Sequence, residues 1–341
     1  MAAQMFSQWT YPLPDHAIAR FPPDRRDGGK LLGVPAGDAA FEHLQISDLV
    51  ALIAAGDLLV VNNSRVLQAR LRAHRKTGGA VELLLLGVGP GDVDALARPA
   101  RRLRAGESLL VGPHRALLLT PPVDGIVRVR FDADPLVVMS AYGEVPLPPY
   151  LHRDAIPSDQ DRYQTVYADP PGSVAAPTAG LHLTQAMLVA IAARGAEVAS
   201  ITLHVGPGTF RPLDPGQLES GVLHSEAFDL PEATVSAIER TRARGGRVIA
   251  VGTTTTRVLE ANTPVGTRVP VAGSGRTSLF IRPPYEFRCV DALLTNLHLP
   301  ESSLLMLVGA WCGRERLLAA YAEAVRSNYR FYSYGDAMWL T

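Results

Sequence analysis

The stretch "LTQAMLVAIAARGAEVASITLHV", residues 183–205, decides the fold: a helix signal over its first half hands directly to a strand signal over its second. The same handover recurs downstream. Helix "PEATVSAIERTRARGG" leads to strand "RVIAVGTTTT", a further helix follows at "TRVLEA", and strand "CVDALLTNL" runs into helix "SLLMLVGAWCGRERLLAAYAEAVRS". Helices alternating with buried strands predict an α/β layer. Upstream, residues 11–60 read as a capped helix ("LPDHAIARF"), a glycine-rich turn, a short helix ("SDLVALIAAG") and a strand, "DLLVVNN".

Between these parts the texture differs. From about residue 69, "AVELLLLGV", "VDALARPARRL", "ESLLVG", "RALLLTP" and "GIVRVRFD" are short β-like runs parted by Gly, Pro and Asp. Runs spaced by about 8–12 residues predict a small closed sheet rather than βαβ units. The prolines of "VPLPPYL", 145–151, stop that pattern and read as a hinge. The predicted class is α/β: a discontinuous α/β domain, 1–68 plus 150–341, carrying an inserted small antiparallel β-barrel over 69–149.

Composition narrows the function classes. Lys+Arg and Asp+Glu balance at 33 each, so no global field recruits nucleic acid or membrane. An apolar fraction of 47% supports a sizeable core and argues against disorder. Only Lys30 and Lys76 are lysines, which either reflects a GC-rich genome or supplies planar, bidentate phosphate ligands. Cys289 and Cys312 show no metal spacing and are expected reduced and structural. With no membrane-length apolar run and no leader pattern, the chain is expected in the cytoplasm, as a monomer without membrane contact.

Polar residues gather where strands end. "LLVVNNSRV", "ITLHVGPGTFRPL", "VIAVGTTTTR" and "LLTNLHLPESS" each run apolar and finish in Asn, His, Thr, Gly or Arg. In open α/β sheets the strand carboxyl ends form the ligand crevice, so these four endings predict one site. His182, His204, His224 and His298 each follow a leucine beside turn residues. None has a second histidine within five positions, so acid–base or hydrogen-bonding roles are favoured over zinc. "HSE" pairs His224 with Glu226, a carboxylate able to orient an imidazole. There is no GK[ST] and no GxGxxG opening a helix, which disfavours polyphosphate and dinucleotide cradles.

One charge cluster stands out. Residues 65–104 hold nine basic side chains, including Arg65, Arg70, Arg72, Arg75 and Lys76, against Glu82, Asp92 and Asp94. It reads either as a grip on phosphate backbone or as a solvated face.

As a set, "YPLPDHAIARFPPDRRD", "GDLLVVNNSRVLQARL", "GSVAAPTAGLHLT", "TLHVGPGTFRPL", "LHSEAF", "RVIAVGTTTTRVLE", "VDALLTNLHLPESSLLMLV" and "YRFYSYGDAM" resemble one family, the S-adenosylmethionine:tRNA ribosyltransferase-isomerases of queuosine biosynthesis. The resemblance spans roughly nine tenths of the chain. It implies transfer of the ribosyl part of S-adenosylmethionine to 7-aminomethyl-7-deazaguanine in tRNA. The sugar rearranges to an epoxycyclopentanediol, and adenine and methionine leave. It implies no metal or redox cofactor beyond S-adenosylmethionine as co-substrate. The site residues it suggests are His182, His204, His224, Glu226 and His298 for proton transfer. Asn63, Arg65, Thr178, Gly180, Gly206, Gly208, Thr209, Thr253, Thr254, Arg257 and Asn296 would bind substrate, and Arg70, Arg72, Arg75 and Lys76 would bind tRNA.

The chain departs from the family pattern at several points. Gly29 and Lys30 stand for a usual Ser-Arg, "GTTTTR" for "GTTSVR" and "GPGTF" for "GAGTF". Leu183 and Leu297 replace phenylalanines, and two rings fewer beside His182 and His298 would reshape a pocket that stacks on a purine. Two other readings stay open: a transferase using S-adenosylmethionine on a small molecule or free nucleoside, and a non-catalytic RNA-binding module. Which histidine acts as base is not decided by the sequence.

Overall fold

Four strands lie side by side and parallel at the centre of the molecule, in the order Glu197–Leu203, Leu58–Asn62, Val248–Val251 and Ala292–Asn296. They are the four strands whose polar endings the sequence marks. The computed structural model describes residues 7–87, 89, 91–206, 208 and 213–341. Alternate residues of the central strands enter two separate apolar clusters: Leu58, Val60, Val248 and Ala250 face one, Leu59, Val61, Ile249 and Val251 the other. A sheet buried on both faces reads as a continuous apolar run, and these strands do.

Helices cover each face. Glu232–Ala243, Thr253–Ala261, Ser303–Cys312 and Arg314–Arg326 bury Ile238, Leu259, Val308 and Leu317 on the first, while Gln185–Ala193 buries Met187 and Ile191 on the second. Strands at the flanks make the sheet mixed and nine-stranded. Val222–Leu230 and Gly273–Leu279 add antiparallel on one side; Ala337–Leu340, Lys30–Val34 and Glu42–Gln45 extend the other.

The inserted part is a closed six-stranded antiparallel barrel. Its circuit runs Arg70–Arg75, Ala80–Leu85, Val93–Arg98, Ile126–Phe131, His114–Leu118, Ser108–Val111 and back to the first strand. Burial alternates along the strands, so Leu71, Leu83, Ala95, Leu109, Ala116 and Val127 fill the interior.

Local expectations needed correction. "LPDHAIARF" is no helix beyond a 3₁₀ turn at Asp15–Ala17, because Ala17 and Ala19 exchange backbone hydrogen bonds with Phe331 instead. The threonines of "GTTTTR" do not extend the strand: Thr253–Thr256 form the first turn of a helix. Thr255 and Thr256 hydroxyls donate back to the Val251 and Gly252 carbonyls, which suits threonine to that turn. The long predicted C-terminal helix breaks at Gly313, whose φ of +83° favours glycine. The "VPLPPYL" segment is packed rather than free, with Val145, Leu147 and Leu151 buried against Tyr163 and Leu181. Cys289 and Cys312 are unpaired thiols.

Candidate active site

A cleft of about 880 Å³ opens at the carboxyl ends of the parallel strands, and the barrel supplies its far wall through Leu86, Leu96 and Ile126. Each strand contributes through the residues just beyond its last pairing. After Val248–Val251 come Gly252, Thr253 and Thr254, the first turn of a helix whose positive N-terminus faces the cleft. Thr254 Oγ1 is fixed by Asn62 Nδ2 at 3.3 Å, and Asn62 also ties down Leu203 at both its carbonyl and its amide.

One turn further along that helix, Arg257 forms a buried ion pair. Its Nη1 donates to Glu226 Oε2 at 2.5 Å, and its Nε donates to the Leu279 carbonyl. Glu226 Oε1 accepts from the Gly206 amide at 3.2 Å. Glu226 is thereby occupied as an anchor for Arg257 and for the loop after Leu203. Arg257 Nη2, by contrast, is buried with no partner among the described residues. A buried guanidinium donor without a partner is costly, and an anion reaching it from the cleft that Arg257 lines would complete it.

The strand Ala292–Asn296 delivers Asn296 and His298. Asn296 Nδ2 donates to His182 Nε2 and to the Tyr332 carbonyl, while its Oδ1 is buried and unpartnered among the described residues. The backbone of His298 is clamped: its amide donates to Tyr321 Oη, and its carbonyl accepts from Tyr11 Oη. Its Nε2 lies 2.8 Å from Thr295 Oγ1, and burial pulls its pKa down to about 3, so the ring is neutral at neutral pH. His224 lies across the cleft and is exposed. The Gly208 backbone passes so close that a Cβ there would sit 2.5 Å from the His224 ring, which explains a glycine at that point. Thr178 lines the cleft from the 3₁₀ turn Thr178–His182.

Other predicted residues lie elsewhere. His182 is buried behind Asn296, and His204 is bound by Nδ1 to Ser64 Oγ at 2.7 Å and lines no part of the cleft. Burial lowers the pKa of His204, a direction shared with His182. Asn63 accepts from Thr202 Oγ1 and borders a separate groove of about 460 Å³ with Ser200 and Thr234. Arg65 is spent on the carbonyls of Ala168 and Asp169. Gly180 makes room for the Tyr167 hydroxyl, into which a Cβ at that position would run. Thr209 lies outside the described residues. On the barrel, Arg72 is bidentate to Glu144 at 2.7 and 3.1 Å, Arg75 to Glu107 at 2.5 and 3.1 Å, and Arg70 sits 3.8 Å from Glu82. Lys76 is exposed.

The cleft also holds residues the sequence reading missed. Tyr150 and Tyr332 lie with ring centroids 4.2 Å apart and planes tilted by 38°, and Tyr163 presents a buried hydroxyl with no partner among the described residues. The cleft that two rings fewer at Leu183 and Leu297 were expected to reshape carries aromatic surface as tyrosine. Leu183 is core on the far face of the sheet, and only Leu297 borders the cleft. Lys30 caps the end of helix Arg314–Arg326, its Nζ donating to the Ser327 and Asn328 carbonyls.

His182 gives a measurable pH effect. Burial, then the Arg330 charge, lowers its pKa from 6.5 to about 4. Above pH ~6.5 folded and unfolded chains both hold it neutral; as pH falls toward 4 only the unfolded chain gains the proton, so stability is lost. In urea titrations the stability gap between wild type and His182→Gln should therefore shrink by about 2 kcal/mol between pH 7 and pH 4.5. A gap independent of pH would refute the buried neutral state.

A mixed α/β sheet whose polar strand ends, with His224, His298 and Arg257, face a barrel across one cleft has the makeup of an enzyme site. The chain belongs to the queuosine biosynthesis protein family, whose model matches residues 6–340. It is 46% identical over 336 residues to the S-adenosylmethionine:tRNA ribosyltransferase-isomerase of Thiobacillus denitrificans, covering 98% of this chain and 96% of that one. The protein of the same name from Chlorobaculum parvum is 44% identical, covering 98% and 99%. The crystal structure of S-adenosylmethionine tRNA ribosyltransferase from Thermotoga maritima matches with a TM-score of 0.57 and 32% identity, covering 98% of this chain and all of that one. Among the described residues no helix is long and apolar enough to cross a membrane.

Proposed function

We propose that this chain transfers and isomerises the ribosyl part of S-adenosylmethionine onto 7-aminomethyl-7-deazaguanine in tRNA, in the cytoplasm, giving epoxyqueuosine and releasing adenine and methionine. The observation that carries the reading at this site is the pairing, across one cleft, of His224 with an arginine whose Nη2 has no partner among the described residues. The sulfonium acidifies C5′–H, and His224, exposed at the mouth, takes that proton and is placed to return it to adenine as the C1′–N bond breaks. Loss of the C5′ proton expels the ring oxygen from C4′ to leave a vinyl sulfonium, and C1′ becomes an aldehyde as adenine departs. The acceptor amine adds to C4′ and loses a proton, and the carbanion formed at C5′ bonds to C1′. The resulting alkoxide displaces methionine from C5′ as a neutral thioether to close the epoxide.

The remaining groups bind and stabilise. Arg257 Nη2 pairs with the methionine carboxylate, the one carboxylate the donor carries. His298 is held neutral and serves as a hydrogen-bonding partner for a sugar oxygen, while the N-terminus of helix Thr253–Ala261 favours the developing alkoxide. Tyr150 and Tyr332 offer a ring surface for a purine. Every step is a proton transfer, an elimination, an addition or a displacement, with no net electron transfer, so turnover should survive excess chelator.

The deciding experiment measures adenine and methionine release from S-adenosylmethionine with deazaguanine-bearing tRNA, with the free nucleoside, and with no acceptor. Release dependent on the tRNA and unaffected by chelator is expected. Release with the free nucleoside alone would transfer the assignment to a small-molecule transferase, and no release in any arm would leave an RNA-binding module.

A further inference from the structure

The barrel contains 11 basic residues between 69 and 149, and five of them pair with carboxylates within the fold. Arg72 is held by Glu144, Arg75 by Glu107, Arg128 by Asp94 and Arg130 by Asp92, with Arg70 beside Glu82. Glu107 and Glu144 come from outside the charge cluster, so two of the charges counted along the sequence are cancelled in space. Lys76, Arg98, Arg101, Arg102 and Arg104 are the exception within that cluster. All five are exposed, and none of their side chains has an ion pair or hydrogen bond among the described residues.

These five share one end of the barrel. Lys76 begins the turn that joins strands Arg70–Arg75 and Ala80–Leu85, and Arg101, Arg102 and Arg104 occupy the connection from Val93–Arg98 to Ser108–Val111. The two turns are tied together: Arg75, locked to Glu107, also donates through Nη2 to the Arg102 carbonyl at 3.3 Å. Leu103 is buried in the barrel core with its amide bonded to the Ala100 carbonyl, so the charges on either side of it project from a pinned backbone. The surface also leads to the cleft. Leu96, which lines the cleft, and Arg98 lie two residues apart on the outer face of one strand, about 7 Å along it.

We propose that Lys76, Arg98, Arg101, Arg102 and Arg104 form a preorganised phosphate-binding surface that holds the RNA backbone while the target base enters the cleft. This rests on the tRNA-modifying reading above. It moves the grip from Arg70, Arg72 and Arg75, which would have to abandon carboxylates to bind phosphate, to side chains with nothing to abandon. Arginine suits the task because its fork matches phosphate geometry. In a chain of zero net charge, attraction must come from such a local patch.

The test is tRNA binding by fluorescence anisotropy across a salt series, for wild type, the triple variant Arg101→Ala/Arg102→Ala/Arg104→Ala, and Arg72→Ala. Each phosphate contact adds about 0.7–0.9 to the slope of log affinity against log salt. The triple variant should flatten the slope by about 2. Its KM for tRNA should rise, while its kcat and its KM for S-adenosylmethionine stay at wild-type values. Arg72→Ala should leave the slope unchanged. If the triple variant fails to fold, Lys76→Glu, in the other turn, must flatten the slope by at least the ~0.7 of one contact. An unaltered slope in the folded triple variant, or a larger loss in Arg72→Ala, overturns the surface. A wild-type protein that binds tRNA with a steep slope but releases no adenine overturns the activity and leaves this surface standing.

Discussion

His224→Ala is expected to lower kcat by about 10²–10⁴-fold with the fold intact, the usual cost of removing a positioned proton-transfer group. The side chain is exposed and lies on the rim of the cleft, so its loss opens no cavity and strands no buried partner. That separates it from the other three histidines, whose rings all hold hydrogen bonds inside the protein. His204→Ala, which lies off the cleft, should act on stability and not on the shape of the pH–rate profile. Near wild-type turnover in His224→Ala, with circular dichroism unchanged, would remove histidine from the proton-transfer role at the mouth.

Arg257→Met should be damaging in two ways that can be measured apart. It leaves the Glu226 carboxylate buried with only the Gly206 amide, and breaking a buried pair by removing one partner costs about 3–5 kcal/mol. It also removes the open Nη2, so binding of S-adenosylmethionine should weaken about 10- to 100-fold, the worth of a hydrogen bond to a charged group. Decarboxylated S-adenosylmethionine distinguishes these effects without any variant. Wild type should bind it more weakly by a similar factor, and Arg257→Met should no longer discriminate between the two donors. Equal affinity of wild type for both would show that the cation serves something other than the methionine carboxylate.

Much of this arrangement was legible in the chain because the physics is local. The strands Leu58–Asn62, Glu197–Leu203, Val248–Val251 and Ala292–Asn296 are buried on both faces, so they stand out as apolar runs, and their polar endings mark the crevice. The barrel was legible from short β-like runs at regular spacing, parted by turn residues. What failed was whatever depends on distant partners. Strand Lys30–Val34 is short and is recruited by residues far downstream, and the helix predicted over "LPDHAIARF" lost to backbone pairing with Phe331. Counting arginines could not reveal that Glu107 and Glu144 fold back upon them. Thr178 and His182 belong to one 3₁₀ turn, yet Thr178 lines the cleft while His182 lies behind Asn296, and only packing decides which side chain does which. The tyrosine wall was hidden in plain view, since Tyr150, Tyr163 and Tyr332 belong to three segments with no periodicity to align them.

The position of strand Ala337–Leu340 sets an order of events during synthesis. It lies between Ala292–Asn296 and Lys30–Val34, and the Lys30 amide reaches Asp336 across 306 positions of chain. The edge hairpin formed with Glu42–Gln45 therefore has nothing to dock on while the ribosome builds the intervening polypeptide. The barrel needs no such wait, because all its pairings close within its own stretch of chain. The nascent protein should thus carry a finished barrel beside an unfinished sheet, and a chaperone meeting it would find the orphaned strand Lys30–Val34, whose Leu31, Leu32 and Val34 are all destined for burial, as its natural hold.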